Sequence, residues 1–418
     1  MVNPAAATQV DYQKLRAVVR QMESINRRLG AQQQGLKVVD PPATVQEQVV
    51  LLGERELSYN RNPDIRRDEA ELSKLFRENL ANLGMGQTVD KILAFTDHDL
   101  GHLGLDFSVQ LPFHLKKRGL TAVEQKTVDR LTRSLAEYYY FRCYPERLTA
   151  AFARQLAHLP PRLSEVDLEQ LVYLAGLSCS LRSVVEKTDL AVEQYDAAKC
   201  SDGHFTGVLM RIEAGLKITT VEPYLSAILY NLINNTFKVA LWRHDETPPG
   251  AGTKVIVSAR THPQYSNVAM IEVIDNGPGF DLKTIAEQAL GLITSSVDAG
   301  QLPTQVAEAL RRLHGSPYAN TLTLNELMRA IFLHRLSANG GGNGTMSSGL
   351  GLYGASLLAN QMQLQFVVGM NHAGIPPFTT GARFMLFLPK HPYGFMPDIS
   401  LLADNLSYGD NSSGYFRG

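Results

Sequence analysis

Asn231, Asn235 and Lys238 recur at helical spacing within the stretch Leu225–Ala240, LSAILYNLINNTFKVA. At about 100° per residue they fall within roughly 60° of one another. Leu225, Ile228, Leu229, Leu232, Ile233, Val239 and Ala240 cover the neighbouring arc, the pattern of a core-facing stripe. Asn costs a helix up to ~0.7 kcal/mol relative to Ala, so several in one helix, Asn234 included, suggest a use beyond solvation. A solvated polar face is the ordinary alternative.

Two further stretches bear on that choice. The apolar run Ala269–Ile274 ends in Asp275-Asn276-Gly277-Pro278-Gly279-Phe280. An ionised Asp only accepts hydrogen bonds. At the mouth of a sheet it could accept from the exocyclic amine of adenine, a donor that guanine lacks at that position. The glycines let the backbone turn sharply and let a flat ring approach. The same residue types also make an ordinary turn after a strand. The second stretch, Gly340-Gly341-Gly342-Asn343-Gly344-Thr345-Met346-Ser347-Ser348-Gly349-Leu350-Gly351-Leu352, leads into an expected helix, Tyr353–Met362. Backbone N–H groups at a helix N-terminus, freed of side chains, bind anions. A flexible linker has the same composition. The alternation of Gly349 and Gly351 with Leu350 and Leu352, however, suits packing on one side and exposed N–H groups on the other.

The elements that must position these residues follow from the pattern around them. Residues 11–29 read as a helix, with Asp11 as cap, Gly30 as stop, and Leu15, Val18, Met22, Ile25 and Leu29 at heptad spacing. Two heptads suit a packed amphipathic helix at least as well as a dimer seam. Turn signals in 38–68 suggest a connector. From Asp68 to Tyr195 helical signals dominate, with breaks near Asn82–Gly86, Lys117–Thr121, Cys143–Pro145 and Leu159–Leu163, as in a helical bundle. From about Cys200, Val208–Ile212, Lys254–Arg260, Ala269–Ile274, Gln363–Gly369 and Arg383–Leu388 read as strands, interleaved with helices at 222–243 and 350–361. The fold class expected is α+β: an N-terminal all-α bundle and then an α/β sandwich with a mixed sheet. The division expected is 1–67 as a helical and connector region, 68–199 as the bundle, 200–390 as the α/β domain and 391–418 as a flexible tail.

Composition narrows the class. The 418 residues allow two or three domains, and 44% apolar content is that of a globular chain. A formal charge of −1 gives no reason to expect a nucleic-acid partner. Cys143, Cys179 and Cys200 are scattered and odd in number, which suits a reducing cytoplasm and no disulfide framework. No run of about 18 apolar residues suggests direct membrane insertion.

Taken in this order, the three stretches resemble the nucleotide-binding superfamily shared by gyrase, the ninety-kilodalton heat-shock chaperones, histidine kinases and mismatch-repair ATPases (GHKL). Asn231-x-x-x-Asn235-x-x-Lys238 resembles its N box, Asp275-x-Gly277-x-Gly279 its G1 box, and Gly349-Leu350-Gly351-Leu352 its G2 box. Thr380-Gly381-Ala382-Arg383-Phe384, with Leu388-Pro389 after it, is similar to the closing strand of histidine kinases, with Ala382 where Thr is usual. The resemblance covers about residues 200–390. It implies that ATP and Mg²⁺ are the cofactors. Asn235 and Asn231 would hold the Mg²⁺, which prefers hard oxygen ligands. Lys238 would neutralise phosphate, Asp275 would read adenine, and Gly349 and Gly351 would receive the triphosphate. In the hydrolytic branches a Glu four residues before the Mg²⁺ Asn activates water. Here Asn231 stands at that place, and an amide cannot act as a general base. The subgroup with Asn there is the histidine kinases, in which positioning and charge neutralisation supply most of the catalysis.

The sequence departs from the family pattern in places. Thr236 stands where Ala is usual, and Ser347 where Gly is common. A helical-looking excess, roughly 282–339, reads as an insertion within or beside the nucleotide lid. A kinase of this kind also needs a phosphoacceptor histidine. His98 fits best, because Asp99 and Leu100 follow it as the family's acidic residue and Leu do. Asp99 can hold the imidazole tautomer and take its proton. Gly101, His102 and Leu103 then replace the usual Arg, Thr and Pro. His98 and His102 also stand at the i, i+4 spacing of a metal pair. The expectation is therefore a dimeric, cytoplasmic ATP-dependent histidine kinase that passes its phosphoryl group to an Asp of a response regulator. The alternatives are an ATPase conformational switch and an ATP-binding interaction protein without kinase activity.

Overall fold

The structure is a computed structural model. It describes residues 144–186, 190–242, 252–277, 279, 351–362, 364–370, 378, 381–392, 394, 396 and 397, together with separate positions between 13 and 74. The chain divides into two compact units, Met1–Arg162 with Leu181–Asp189, and Leu163–Ser180 with Leu190–Gly418.

In the first unit the described positions between 13 and 27 are helical, as the heptad-like pattern predicts. Val19 and Ile25 are buried, and so is Glu23. The carboxylate of Glu23 accepts from Arg154 Nη1 at 2.6 Å and Arg162 Nη2 at 3.3 Å. Arg154 lies on α1, Tyr144–Leu156. A buried acid is tolerated when its charge is matched in this way. These positions behave as a packed helix of the unit.

The second unit holds the sheet. Its elements are β1 (Ser164–Asp167), α2 (Leu168–Glu186, whose last turn lies in the first unit), β2 (Ala191–Gln194), α3 (Ala197–Ser201), β3 (Gly207–Ile212), β4 (Lys217–Thr220), α4 (Glu222–Trp242), β5 (Lys254–Thr261), β6 (Val268–Asp275), α5 (Gly351–Gln361), β7 (Gln365–Met370) and β8 (Ala382–Pro389). Six strands form one sheet in the order β2-β3-β5-β6-β8-β7. β2, β3 and β5 run parallel, and the remaining pairs are antiparallel. This is the mixed sheet expected. β1 and β4 pair separately and antiparallel.

β1 and β2 fall inside the stretch expected to be helical. Each has four residues, SEVD and AVEQ, too short and too polar to announce a strand, and β2 sits at the sheet edge. α2 follows β1 at once because Asp167 caps it, its Oδ1 accepting from Glu169 N at 2.9 Å and Gln170 N at 3.3 Å. α2 packs on β2 at Gly176, where an added Cβ would lie 3.1 Å from Val192 Cγ1.

α4 and α5 pack against each other and against the sheet. Pro223 sits in the first turn of α4, where its missing N–H costs nothing. Leu225, Ala227, Ile228, Leu229, Leu232 and Ile233 are all within 1% of full burial. Such a helix is a core element, so its polar side chains must be satisfied or used. On β6, Asp275 faces α4, and alternation therefore turns Glu272 and Ile274 to the other face. There Ile274 packs with Cys200, Leu209, Ile256 and Phe378.

Candidate nucleotide site

Asn231 lies on α4 at 1% exposure. Its Nδ2 donates to Ala227 O at 2.8 Å, one turn back. Its Oδ1 is buried and has no hydrogen-bond donor among the described residues. An orphaned buried acceptor of this kind costs about 1–3 kcal/mol, so it calls for a partner. Gly351, the first residue of α5, lies directly against it. A Cβ added at Gly351 would meet Asn231 Oδ1 at 2.9 Å and Asn235 Oδ1 at 3.5 Å. Two amide oxygens from successive turns of α4 thus converge on the N-terminus of α5, where the first N–H groups have no partner within the helix and the dipole favours an anion. Hard oxygen donors beside an anion-binding helix end fit a magnesium ion with its phosphate ligands.

Asp275 forms the other end. It closes β6, opposite Val255 of β5, and is 9% exposed. Its Oδ1 accepts from Gly277 N at 2.8 Å and from Ala382 N at 3.0 Å. Its Oδ2 accepts from Thr236 Oγ1 at 3.2 Å. Burial pushes the carboxyl above its ordinary value, while the N–H groups of Ala382 and Gly277 and the Thr236 hydroxyl pull it back down. Backbone geometry around the carboxylate is fixed by glycine. Gly381 has φ 123°, and a Cβ there would lie 1.8 Å from Asp275 O. Gly279 has φ 79°.

Asn276 holds the turn in place. Its Oδ1 accepts from Lys254 N at 2.7 Å and its Nδ2 donates to Gly252 O at 2.8 Å, tying the end of β6 to the start of β5. α4 therefore joins both ends of the site through adjacent residues. Asn235 serves the α5 end, and Thr236, about 100° further round the helix, serves Asp275.

Of the residues singled out from sequence, the structure brings Asn231, Asn235 and Gly351 together, and Asp275 with Gly277. Leu352 follows Gly351 in α5 and is half-buried. Lys238 lies on α4, but its side chain is outside the described residues, as are Gly349, Leu350, His98 and Asp99. The 282–339 insertion lies outside them too. Sequence reasoning gave no role to Asn276, or to the N–H of Ala382. Thr236 was visible only as a departure from the family pattern.

No family model matches the chain, and no curated protein matches it in sequence. Similar chains do occur among solved structures. The catalytic domain of the histidine kinase ThkA, in a nucleotide-free form, is 11% identical over 55% of this chain and 97% of that one, with a TM-score of 0.29. The mycobacterial sensor histidine kinase MprB is 13% identical over 55% of this chain and 99% of that one, with a TM-score of 0.30. Full-length ShkA in complex with AMPPNP is 18% identical over 75% of this chain and 46% of that one, with a TM-score of 0.33. These are histidine kinases, the class that the sequence boxes resemble.

Proposed function

We propose that the chain binds MgATP between α4, α5 and the end of β6, and transfers the γ-phosphoryl group to a histidine. The observation that carries this reading is the convergence of Asn231 Oδ1, orphaned and buried, and Asn235 Oδ1 on Gly351 at the start of α5. Asp275 supports it from the other end, as a buried carboxylate held by three donors. Asn235 and Asn231 would hold Mg²⁺, which supplies charge neutralisation between the phosphates. Asp275 accepts the exocyclic amine of the base. Lys238 neutralises phosphate. Gly349, Leu350, Gly351 and Leu352 form the phosphate-receiving turn into α5.

Transfer is favoured over hydrolysis because position 231 is an amide. Its nitrogen is committed to Ala227 O, and an amide oxygen takes no proton from water. His98 is the proposed acceptor and Asp99 its base, with a homodimer as the working unit. An Asp of a response regulator then takes the phosphoryl group. The setting proposed is the cytoplasm. Among the described residues no helix is long and apolar enough to cross a membrane.

Incubation with γ-labelled ATP tests the reading. The expected product is protein-bound label that is acid-labile and alkali-stable, and that is lost in His98→Gln and in Asn235→Ala. Label surviving in His98→Gln contradicts the acceptor. Steady phosphate release without bound label would make the protein an ATPase switch. Nucleotide binding with neither would make it a binding module.

A further inference from the structure

Asp275 can accept at four lone-pair positions, two on each oxygen. Among the described residues, donors fill three of them. Gly277 N and Ala382 N take both positions on Oδ1, at 2.8 and 3.0 Å, and Thr236 Oγ1 takes one on Oδ2, at 3.2 Å. Among the described residues nothing donates to the fourth, on Oδ2. Guanine presents N1–H and N2–H side by side, a pair that needs both carboxylate oxygens free. Adenine presents one exocyclic amine, which needs a single acceptor.

Two of the departures of this sequence from the family's pattern, Thr236 and Ala382, fall on Asp275. Ala382, where the closing strand usually has Thr, offers Asp275 only its backbone N–H. Thr236, where the N box usually has Ala, offers its hydroxyl. The hydroxyl on this carboxylate thus comes from α4. It also sits one residue from Asn235, so a shift of α4 at the phosphate end is felt at the base end.

We propose that Thr236 is the positioning residue that sets base selectivity, by occupying Oδ2 so that Asp275 keeps a single, fixed acceptor for an exocyclic amine. The proposal rests on the nucleotide site described above. In Thr236→Val, which keeps the shape and loses the hydroxyl, Oδ2 loses its fixed donor and the carboxylate is held by the two bonds to Oδ1 alone. The full-length protein is titrated with ATP, with GTP and with the triphosphate of purine riboside, which lacks the amine. The wild type should prefer ATP over both. Thr236→Val should narrow the preference for ATP over the purine riboside triphosphate by about tenfold, the cost of a hydrogen bond to a charged group, and should leave GTP disfavoured, because Gly277 N and Ala382 N still fill Oδ1. Thr236→Ser should restore it to near the wild-type ratio. Thr236→Cys, a weak donor of similar size, should narrow it as valine does, and serves where the valine protein does not fold.

An unchanged preference in the valine and cysteine variants overturns the proposal. So does an equal loss of all three ligands, which is what a merely structural threonine gives. A wild-type protein that binds none of the three overturns the nucleotide site itself and this proposal with it.

Discussion

Asn231 Oδ1 and Gly351 stand so close that a methyl group on Gly351 would lie 2.9 Å from that oxygen. The oxygen has no hydrogen-bond donor among the described residues, and the glycine begins α5. The contact is meaningful because the two lie on different helices and far apart in sequence. It defines the cradle on which the functional reading depends.

Gly351→Ala separates the fold from the site. The methyl group meets two amide side chains, Asn231 and Asn235, and Asn231 is held in place by burial and by its bond to Ala227 O. The variant should stay folded, melting within a few degrees of the wild type, and bind ATP at least tenfold more weakly. A calorimetric melt and a nucleotide titration on the same sample check both parts. Unchanged affinity would place the ligand elsewhere.

The buried Asp275 should leave a mark on pH dependence. Its folded value is raised above the ordinary 3.8, so the fold holds this proton more tightly than the unfolded chain does. Below the ordinary value both states are protonated and nothing is lost. As pH rises from there through the raised folded value, the stability that the proton contributes is lost. Base recognition has the opposite sign, since the acceptor must be ionised. ATP affinity should fall on acidification at a higher pH than an ordinary aspartate would give. Inorganic tripolyphosphate controls for titration of the phosphates, and its affinity should fall less. Parallel declines would remove Asp275 from base recognition.

The face of the sheet away from α4 carries a buried ion pair. Arg383 on β8 donates through Nε to Glu272 Oε1 on β6 at 2.6 Å, with Nη2 also on that oxygen. Both side chains are under a tenth exposed. Arg383→Met leaves the carboxylate buried without its charge and should cost about 3–5 kcal/mol. The double variant Glu272→Leu with Arg383→Met should recover most of it, because paired removal strands no charge. Urea unfolding of the three proteins measures this, and a double variant no better than the single one would contradict it.

These relationships differ in how far the sequence betrays them. β3, β5, β6 and β8 announce themselves as runs such as VIVSAR and MIEVI, because strands buried on both faces read as apolar. α4 and α5 are legible from helical spacing and from the glycines before α5. β1, β2 and β4, as SEVD, AVEQ and KITT, have too few apolar residues to stand out. The order in which strands cross over depends on non-local pairing, which a periodicity does not encode. In the site, residue types at fixed spacing exposed Asn231, Asn235 and Asp275. The Thr236 bond to Asp275 joins residues 39 apart, and the Ala382 bond joins residues 107 apart. Only the packed sheet brings those together, and a backbone N–H has no signature in a sequence.

In the proposed function the Asn231 and Asn235 amides hold magnesium at the phosphate end of an ATP site. The most direct measurement is ATP affinity with and without Mg²⁺, in the wild-type protein and in Asn235→Ala. The wild type should bind ATP at least tenfold more tightly with Mg²⁺ present, and Asn235→Ala should lose most of that gain while its magnesium-free affinity changes little. A wild-type affinity indifferent to Mg²⁺, or a full magnesium gain kept in Asn235→Ala, would contradict the account.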